Sequence, residues 1–353
     1  MSIHFKKDLH LSDLVFDRSK SKICSVVRNQ SLKVIAIVAF SFSVSLPANA
    51  GILYNFKTID FPGETETAVS SINNSGQMVG TFNDGESVFL FDGKKFTAFK
   101  PAGAGEVYIP GTNDVGQIVG SFFDAQDIPR GYIKKGDTYK IINYPATPPA
   151  VTVGETGISD INNSGVAVGY YFDEDFKISR AFYLDTNTNT FTPITIPEAT
   201  DRTYAWGNNE LNQVVGSYRS DKGFYGYFLD QGKITKLEFP GSSLTAAYGV
   251  NDAGTIVGNF FREETGRSLY GFVWNNGIFT EIKAPKATQT FVSSINDSGE
   301  IAGYYFDTAG TKHGFVATKV PEPTTTIGSL LAFGVLGTSL VVRRKRNYSK
   351  LLK

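Results

Sequence analysis

The stretch Ile295-Asn296-Asp297-Ser298-Gly299-Glu300-Ile301-Ala302-Gly303-Tyr304-Tyr305 decides the fold, because its pattern occurs six times along the chain. All copies end on a glycine at the same place. These glycines are Gly80, Gly120, Gly169, Gly216, Gly258 and Gly303. They follow one another after 40 to 49 residues, which is a spacing typical of repeat architectures. The sequence therefore predicts an array of six structural repeats.

Each copy is predicted to be a β-hairpin. Its Asn-x-x-Gly centre is turn chemistry, because asparagine side chains bond their own backbone and glycine reaches positive φ without a Cβ clash. The fourth copy has Asn212 where the others have glycine, and asparagine tolerates the left-handed region best after glycine. An apolar pair follows the turn, then the fixed glycine. A glycine inside a strand indicates a close approach of another chain segment.

Two further apolar segments lie between successive hairpins. One contains a small residue and an aromatic, as in Gly271-Phe272-Val273-Trp274, and a short turn leads to another, as in Phe279-Thr280-Glu281-Ile282. Alternating side chains and regular turns predict four short strands per repeat. Four antiparallel strands repeated radially are typical of a β-propeller blade. We therefore expect an all-β domain over residues 51–319, with six four-stranded blades.

An extra segment precedes the first hairpin. Residues 55–62 match residues 278–285, which form the last segment of the fifth repeat, whereas the sixth repeat has no fourth segment of its own. We expect this N-terminal strand to complete the sixth blade, which closes the ring and removes an exposed sheet edge. An open solenoid or a double sheet is the rival architecture. It would leave the N-terminal strand without a partner.

Residues 1–50 are predicted to be a secretory signal peptide with a long basic n-region. An apolar run from Val34 to Val44 precedes Ala48-Asn49-Ala50, which is an A-x-A cleavage pattern. The run forms the signal helix and is shorter than the roughly 20 residues that span a bilayer. Cleavage is expected after Ala50, so the protein is predicted to be exported.

The tail over residues 320–353 has three parts. Val320-Pro321-Glu322-Pro323 comes first, an apolar segment over 327–342 is predicted to be a transmembrane helix, and Arg343-Arg344-Lys345-Arg346 opens the basic end 343–353. This order resembles the PEP-CTERM sorting signal of Gram-negative bacteria. The resemblance implies processing by an exosortase and an association with exopolysaccharide and biofilm. A simple C-terminal membrane anchor is the alternative.

The third segments of the repeats are similar to the extracellular repeats named for a His-Ala-Phe tripeptide. The tripeptide stands as His313-Gly314-Phe315 in the last copy and as Arg180-Ala181-Phe182 in the third. The histidine occurs in one copy, so the small residue and the aromatic carry the match. The resemblance implies a repeat fold outside the cell, and that family brings no assigned reaction.

Composition excludes several classes of function. The chain has 34 basic and 34 acidic residues, but residues 51–319 keep 21 basic against 30 acidic ones, a net charge near −9. Nucleic acid is therefore not an expected partner, since phosphate binding needs a basic surface. The one cysteine, Cys24, lies in the leader, so thiol chemistry is not expected after cleavage. His313 is the one histidine beyond residue 50, and we favour a structural role over a catalytic triad.

The segment after the second strand carries an acid in every repeat. These acids are Asp84, Asp124, Asp173, Asp221, Glu263 and Asp307. Further acids follow some of them. These are Asp127, Glu174, Asp175 and Glu264. On one propeller face such oxygen ligands would suit Ca²⁺. The spacing is not that of a regular calcium loop, so solvent-facing turn residues are the favoured interpretation and no cofactor is expected.

Aromatic residues near the start of the first strands define a candidate ligand face. Together with one arginine they are Tyr108, Arg202, Tyr204, Trp206, Tyr248 and Phe291. Around a propeller mouth these rings would stack on sugars while acids bond hydroxyl groups. A core role, with the rings wedged between blades, is the competing interpretation.

These observations predict an exported, exosortase-sorted protein of the cell surface or extracellular matrix, held transiently at the inner membrane. We expect a binding or structural module whose partners are exosortase and exopolysaccharide or surface proteins. No catalytic residue is assigned. The alternative is a secreted polysaccharide hydrolase or lyase, which would need two carboxyl groups about 5 to 10 Å apart on the propeller face.

Overall fold

The structure, a computed structural model, describes residues 54–126, 128–145, 153–173, 177–262 and 268–320. These ranges belong to one compact unit. They contain strands and turns and no helix, so none of the described segments is a helix that could cross a bilayer. The predicted leader, the sorting motif after Val320 and the C-terminal helix lie outside the described residues.

Each repeat has four strands, and the N-terminal strand of the chain is the outer strand of the sixth repeat. The first strands, which lead into the Asn-x-x-Gly turns, are β2 (Thr67–Ile72), β6 (Val107–Thr112), β10 (Val153–Ile161), β14 (Thr203–Asn208), β18 (Leu244–Val250) and β22 (Gln289–Ile295). The second strands are β3 (Met78–Phe82), β7 (Gln117–Phe123), β11 (Val166–Asp173), β15 (Val214–Ser220), β19 (Ile256–Arg262) and β23 (Ile301–Phe306). The third strands are β4 (Ser87–Phe91), β8 (Pro129–Lys135), β12 (Ser179–Asp185), β16 (Gly223–Asp230), β20 (Ser268–Asn275) and β24 (Lys312–Lys319). The outer strands are β1 (Tyr54–Ile59), β5 (Phe96–Phe99), β9 (Thr138–Ile142), β13 (Thr190–Ile194), β17 (Lys233–Leu237) and β21 (Ile278–Ile282).

The described strands form four sheets of four strands and one sheet of eight. The eight-stranded sheet holds the fourth and fifth repeats, which are joined by a single parallel residue pair between Phe224 and Leu244. The turn from Ser220 to Gly223 is short, so β16 begins early enough to reach β18. This sharing differs from the six separate sheets that the sequence predicts. The arrangement as a whole is that of a β-propeller.

The N-terminal strand completes the sheet of the sixth repeat. β1 pairs antiparallel with β24, and the register runs from Tyr54 opposite Lys319 to Ile59 opposite Gly314. Beyond the strand, Asp60 accepts a hydrogen bond from His313 Nδ1 at 2.9 Å. The N-terminal strand therefore covers an edge of β24 that would otherwise be open, as the sequence predicts.

The turn chemistry is as predicted. The turn glycines have positive φ, as at Gly254 with φ 73°, and Asn212 takes the same conformation with φ 57°. The fixed glycine inside the second strand is needed for space. A Cβ at Gly258 would overlap the carbonyl oxygen of Ala246 and lie 2.7 Å from the Phe272 ring. The turn glycine is therefore required by its positive φ, and the strand glycine by the close approach of the neighbouring strand and ring.

Six asparagines connect the repeats in a ring. They occupy the first position of each turn and are Asn73, Asn113, Asn162, Asn209, Asn251 and Asn296. Each Nδ2 donates to the backbone oxygen of the next asparagine at 3.0–3.1 Å, and Asn296 donates back to Asn73. Each Oδ1 accepts the N–H of the residue four positions on, as Asn251 does from Thr255 at 3.0 Å. One side chain thus closes its own turn and holds the next repeat.

The hydrophobic core lies between neighbouring repeats. In one cluster Val215 of β15 packs with Ala247 of β18 and with Phe260 and Phe272 of the fifth repeat. Phe239, in the segment that connects the two repeats, stacks on Phe260 with ring centroids 3.6 Å apart. Full burial of such a ring contributes about 1.5–3 kcal/mol. The first strands are thereby held together around a common axis.

Candidate functional site

Two layers of side chains lie on the first strands near that axis. A β-bulge interrupts each described first strand, as between Ala205 and Gly207 in β14, and it re-aims the residue at its centre. Below the bulge, toward the asparagine ring, residues of all six repeats line one cavity, which we call the turn-face cavity. Above it lie mostly aromatic residues, which we call the aromatic layer.

The aromatic layer is a chain of ring contacts that passes from one repeat to the next. Tyr170 contacts Tyr204 at 5.1 Å between centroids, and Tyr204 stacks on Trp206 at 5.0 Å. Trp206 stacks on Tyr248 at 5.5 Å, and Tyr248 meets Phe291 at 4.8 Å. Such contacts add about 0.5–1.5 kcal/mol each beyond burial. The rings of the third to sixth repeats therefore support one another.

The predicted ligand-face residues divide into two groups. Tyr204, Trp206 and Tyr248 are buried, with 5–7% of each residue exposed, and Trp206 Nε1 donates to Ser217 Oγ at 3.0 Å. Arg202, Tyr108 and Phe291 are half-buried and present part of their surface to solvent. The buried rings thus form the floor of the face, and the second group forms its reachable part.

Arg202 lies beside a buried carboxyl group that the sequence analysis did not identify. Glu155, at the same register in the preceding repeat, is 5% exposed. Burial raises the pKa of Glu155 to about 8, although Arg202 and a hydrogen bond from Tyr170 act in the opposite direction. Arg202 also donates to the Tyr204 hydroxyl at 3.3 Å and lies over the Phe172 ring. We call this end of the aromatic layer its mouth; it combines a cation, a carboxyl group with a raised pKa and aromatic rings.

The acids of the loops after the second strands mainly bond their own backbone. Asp124 Oδ1 accepts the N–H groups of Gln126 and Ile128, both at 2.9 Å, and Asp307 and Asp173 close their loops in the same way. These N–H groups lower the pKa of Asp124 and Asp307. Asp84 pairs instead with Lys312. Asp127, Glu174, Asp175, Glu263 and Glu264 lie outside the described residues.

The single histidine of the described chain joins the two ends of the fold. Besides its bond to Asp60, His313 stacks on Tyr305 at 5.2 Å, and its Nε2 lies 3.7 Å from Asp307. No serine hydroxyl is among these contacts. The environment supports the structural role that its place in the repeat suggested.

The turn-face cavity contains a second unusual carboxyl group. Asp160 of β10 lines it, and burial raises the pKa of Asp160 to about 7. Burial and the neighbouring Asp297 also raise the pKa of Asp252. Among the described residues, no three His, Cys, Asp or Glu side chains converge as a metal-binding group. Asp160 stands where every other repeat has glycine or serine, which is the signal that could have revealed it. Glu155 has no such signal, because the first and second repeats carry glutamate at the same register, at Glu66 and Glu106.

Comparisons with known proteins address the fold. Comparison with protein-family models finds no match, and comparison with curated proteins finds none. Among solved structures the chain is similar to a streptogramin B lyase, with 13% identity over 78% of this chain and 89% of that one and a TM-score of 0.43. It is also similar to SapL1 lectin in complex with alpha methyl fucoside, with 11% identity over 74% and 97% and a TM-score of 0.48. These values are too low to carry an argument about activity.

A third solved structure extends the range of activities among these neighbours. It is a gluconolactonase, XC5397 from Xanthomonas campestris, with 9% identity over 77% of this chain and 93% of that one and a TM-score of 0.48. A lyase, a lectin and a lactonase thus have comparable similarity to this chain. Function must therefore be argued from the site itself.

Proposed function

We propose that this chain is an exported, exosortase-sorted surface or matrix protein whose six-bladed propeller binds polysaccharide at the mouth of the aromatic layer. The predicted leader and the Pro-Glu-Pro tail support export and sorting. The ring of six asparagines supports six blades, because each repeat donates one equivalent bond and the ring returns to its start. The fourth and fifth blades are then distinct units that touch through one strand pair.

One observation carries the binding role. At the mouth, half-buried Arg202, Tyr108 and Phe291 border a floor of buried rings, and the buried carboxyl group of Glu155 lies beside Arg202. A sugar offers an apolar face for stacking and hydroxyl groups for hydrogen bonds, so it matches this combination. Long chains with repeated units would also gain from several protein copies on one surface.

A glycan array with the purified full-length protein tests the binding role. Because Tyr204 and Trp206 are buried, their replacement would leave cavities, so the informative variants are Arg202→Gln and Tyr108→Ala. We expect saturable binding that weakens at least tenfold in each variant. The control is Lys134→Gln, which changes another cation lying over an aromatic ring, that of Phe99. Equal binding by all four proteins would contradict the proposal.

Sorting is tested separately in a bacterium that has an exosortase. Replacing Pro321 and Pro323 with alanine is expected to leave the protein in the inner-membrane fraction, whereas the unchanged protein reaches the surface. A control variant with Thr325→Ala keeps the motif and should be sorted normally. Surface delivery of the Pro-to-Ala variant would exclude exosortase processing at this motif.

The enzyme alternative has one feature in its favour, the buried carboxyl group of Glu155. Paired carboxyl groups of glycosidases lie about 5–10 Å apart. Asp160, the other carboxyl group with a pKa raised to near neutral, is five residues along the same strand, a separation of about 15 Å. These two groups cannot form one catalytic pair, so the binding role is the better-supported proposal.

A further inference from the structure

The turn-face cavity is a polar site distinct from the aromatic layer. Its lining comes from the end of each first strand and the start of each turn in all six repeats. The six ring asparagines are among the lining residues, and no lysine or arginine is. Each of their Nδ2 atoms donates to the backbone oxygen of the next ring asparagine. The cavity is thus built from oxygen-rich groups held by a closed hydrogen-bond network.

Asp160 departs from the repeat pattern at this cavity. At the same register the other repeats have glycine or serine, namely Ser71, Gly111, Gly207, Gly249 and Ser294. The neighbouring second repeat makes room for the Asp160 side chain by having glycine at position 111, because a Cβ at Gly111 would lie 3.0 Å from Asp160 Oδ1. Asp160 accepts the N–H of Ile161 at 3.0 Å and that of Asn208 at 3.3 Å. Its carboxyl group therefore lies where three repeats have no side chain and two have only a serine hydroxyl.

Asn208 is a second, independent departure. At its register the other repeats have residues with at most a hydroxyl group, namely Ile72, Thr112, Ile161, Val250 and Ile295. Asn208 is 7% exposed and lines the cavity. Its Nδ2 donates to the Val166 carbonyl at 3.0 Å, but its Oδ1 has no hydrogen-bond partner among the described residues. A buried acceptor left without a partner costs about 1–3 kcal/mol, so a ligand that satisfies it is expected.

The charge around the cavity defines the class of ligand. Four more acids line it, Asp114, Glu210, Asp252 and Asp297. They occupy the position after the ring asparagine, and their backbone and side-chain groups bond from repeat to repeat, as Glu210 N does to Asp252 Oδ1 at 3.0 Å. A concave site bordered by one sign of charge concentrates the opposite ion. The cavity therefore attracts cations.

We propose that the turn-face cavity binds a hard divalent cation, Ca²⁺ above all, with the Asp160 carboxylate and the Asn208 amide oxygen as its distinguishing ligands. Carboxylate, amide and carbonyl oxygens are the ligands of Ca²⁺, which accepts irregular geometry, whereas Mg²⁺ demands a near-ideal octahedron. The described residues do not bring three His, Cys, Asp or Glu side chains together, so backbone oxygens and water complete the shell. Affinity is expected in the range of extracellular modules, on the order of 10⁻⁴–10⁻³ M.

Calcium titration calorimetry of the purified, EDTA-treated full-length protein tests this site. The variants are Asp160→Ser and Asn208→Val, which install residues that equivalent positions of other repeats already carry. We expect saturable CaCl₂ binding by the unchanged protein and at least tenfold weaker binding in each variant. MgCl₂ is the comparison ion and should bind at least tenfold more weakly.

The control separates this cavity from the acidic loops of the other propeller face. Asp124→Asn removes a loop charge but leaves an oxygen for the loop N–H groups, and it should bind CaCl₂ like the unchanged protein. Urea midpoints, measured in EDTA, establish that each variant is folded. Two results would overturn the proposal: no saturable heat with CaCl₂, or equal affinity in folded Asp160→Ser and Asn208→Val proteins.

Discussion

Replacing Glu155 with glutamine should change how the stability of the protein depends on pH. Burial raises the pKa of Glu155 from 4.5 to about 8, so the folded state holds a proton that the unfolded state releases above pH 4.5. Stability then falls as pH rises between these two values, by about 1.4 kcal/mol per pH unit. Over the whole interval the loss is roughly 4–5 kcal/mol.

Glutamine has nearly the same volume, keeps a group for the Tyr170 hydroxyl and does not titrate. Glu155→Gln should therefore resemble the unchanged protein at pH 5 and exceed its free energy of unfolding by roughly 3–4 kcal/mol at pH 8. Ionisation of Asp160 also lowers stability as pH rises, because burial raises the pKa of Asp160 from 3.8 to about 7. Asp160 still titrates in the Glu155→Gln protein. The pH dependence of its stability should therefore be only partly lost below pH 7 and mostly lost between pH 7 and 8.

Urea unfolding of the full-length protein at pH 5, 6, 7 and 8, in EDTA, measures this difference. Glu64→Gln, in an exposed loop, is the control and should leave the slope unchanged. A constant difference between Glu155→Gln and the unchanged protein from pH 5 to 8 would refute the reasoning. It would mean that Arg202 keeps Glu155 ionised, so that the mouth of the aromatic layer presents an ion pair rather than a neutral carboxyl group.

Three further predictions concern the elements shared by the repeats. Gly303→Ala should lower the free energy of unfolding, measured in urea, by more than about 3 kcal/mol, because the added Cβ overlaps the Phe291 carbonyl oxygen. The control Gly105→Ala should lower it little, since its Cβ would meet its nearest atom at 3.5 Å. Equal losses in the two variants would contradict the close approach at Gly303. Asn251→Ala should cost roughly 2–3 kcal/mol in the same assay, since it leaves two buried backbone groups without partners, whereas the exposed Asn187→Ala should be near neutral. Deleting 54–59 should produce oligomers in size-exclusion chromatography, because β24 becomes an open edge; a stable monomer would show that another segment covers it.

The sequence predicted the repeat and its turns because those depend on local chemistry. The left-handed conformation of Asn212 follows from residue type alone, and so does the positive φ of Gly254. The N-terminal strand was also predictable, because one repeat lacked a segment that another part of the chain matched. Each of these features depends on a few neighbouring residues or becomes evident when the copies of the repeat are compared.

Contacts between repeats could not be predicted in the same way. The asparagine of each turn was identified as a turn residue, but its bond to the next repeat joins residues at least 40 positions apart, as between Asn73 and Asn113, and 223 positions apart between Asn296 and Asn73. Burial of Trp206 was also hidden, because the bulge at Gly207 breaks the alternation from which inward and outward positions are counted. The pairing of Phe224 with Leu244 depends on one short turn and has no sequence signature.

The distribution of shared and divergent residues explains where function should be sought. Residues common to all six repeats satisfy one another, as the ring asparagines do, so they have little capacity left for a ligand. The divergent residues Asp160, Arg202, Trp206 and Asn208 belong to the third and fourth repeats and lie on or next to their first strands. A ligand therefore meets an asymmetric site on a nearly symmetric scaffold. Substitutions of shared residues should reduce stability, whereas those of Arg202, Asp160 and Asn208 should reduce binding.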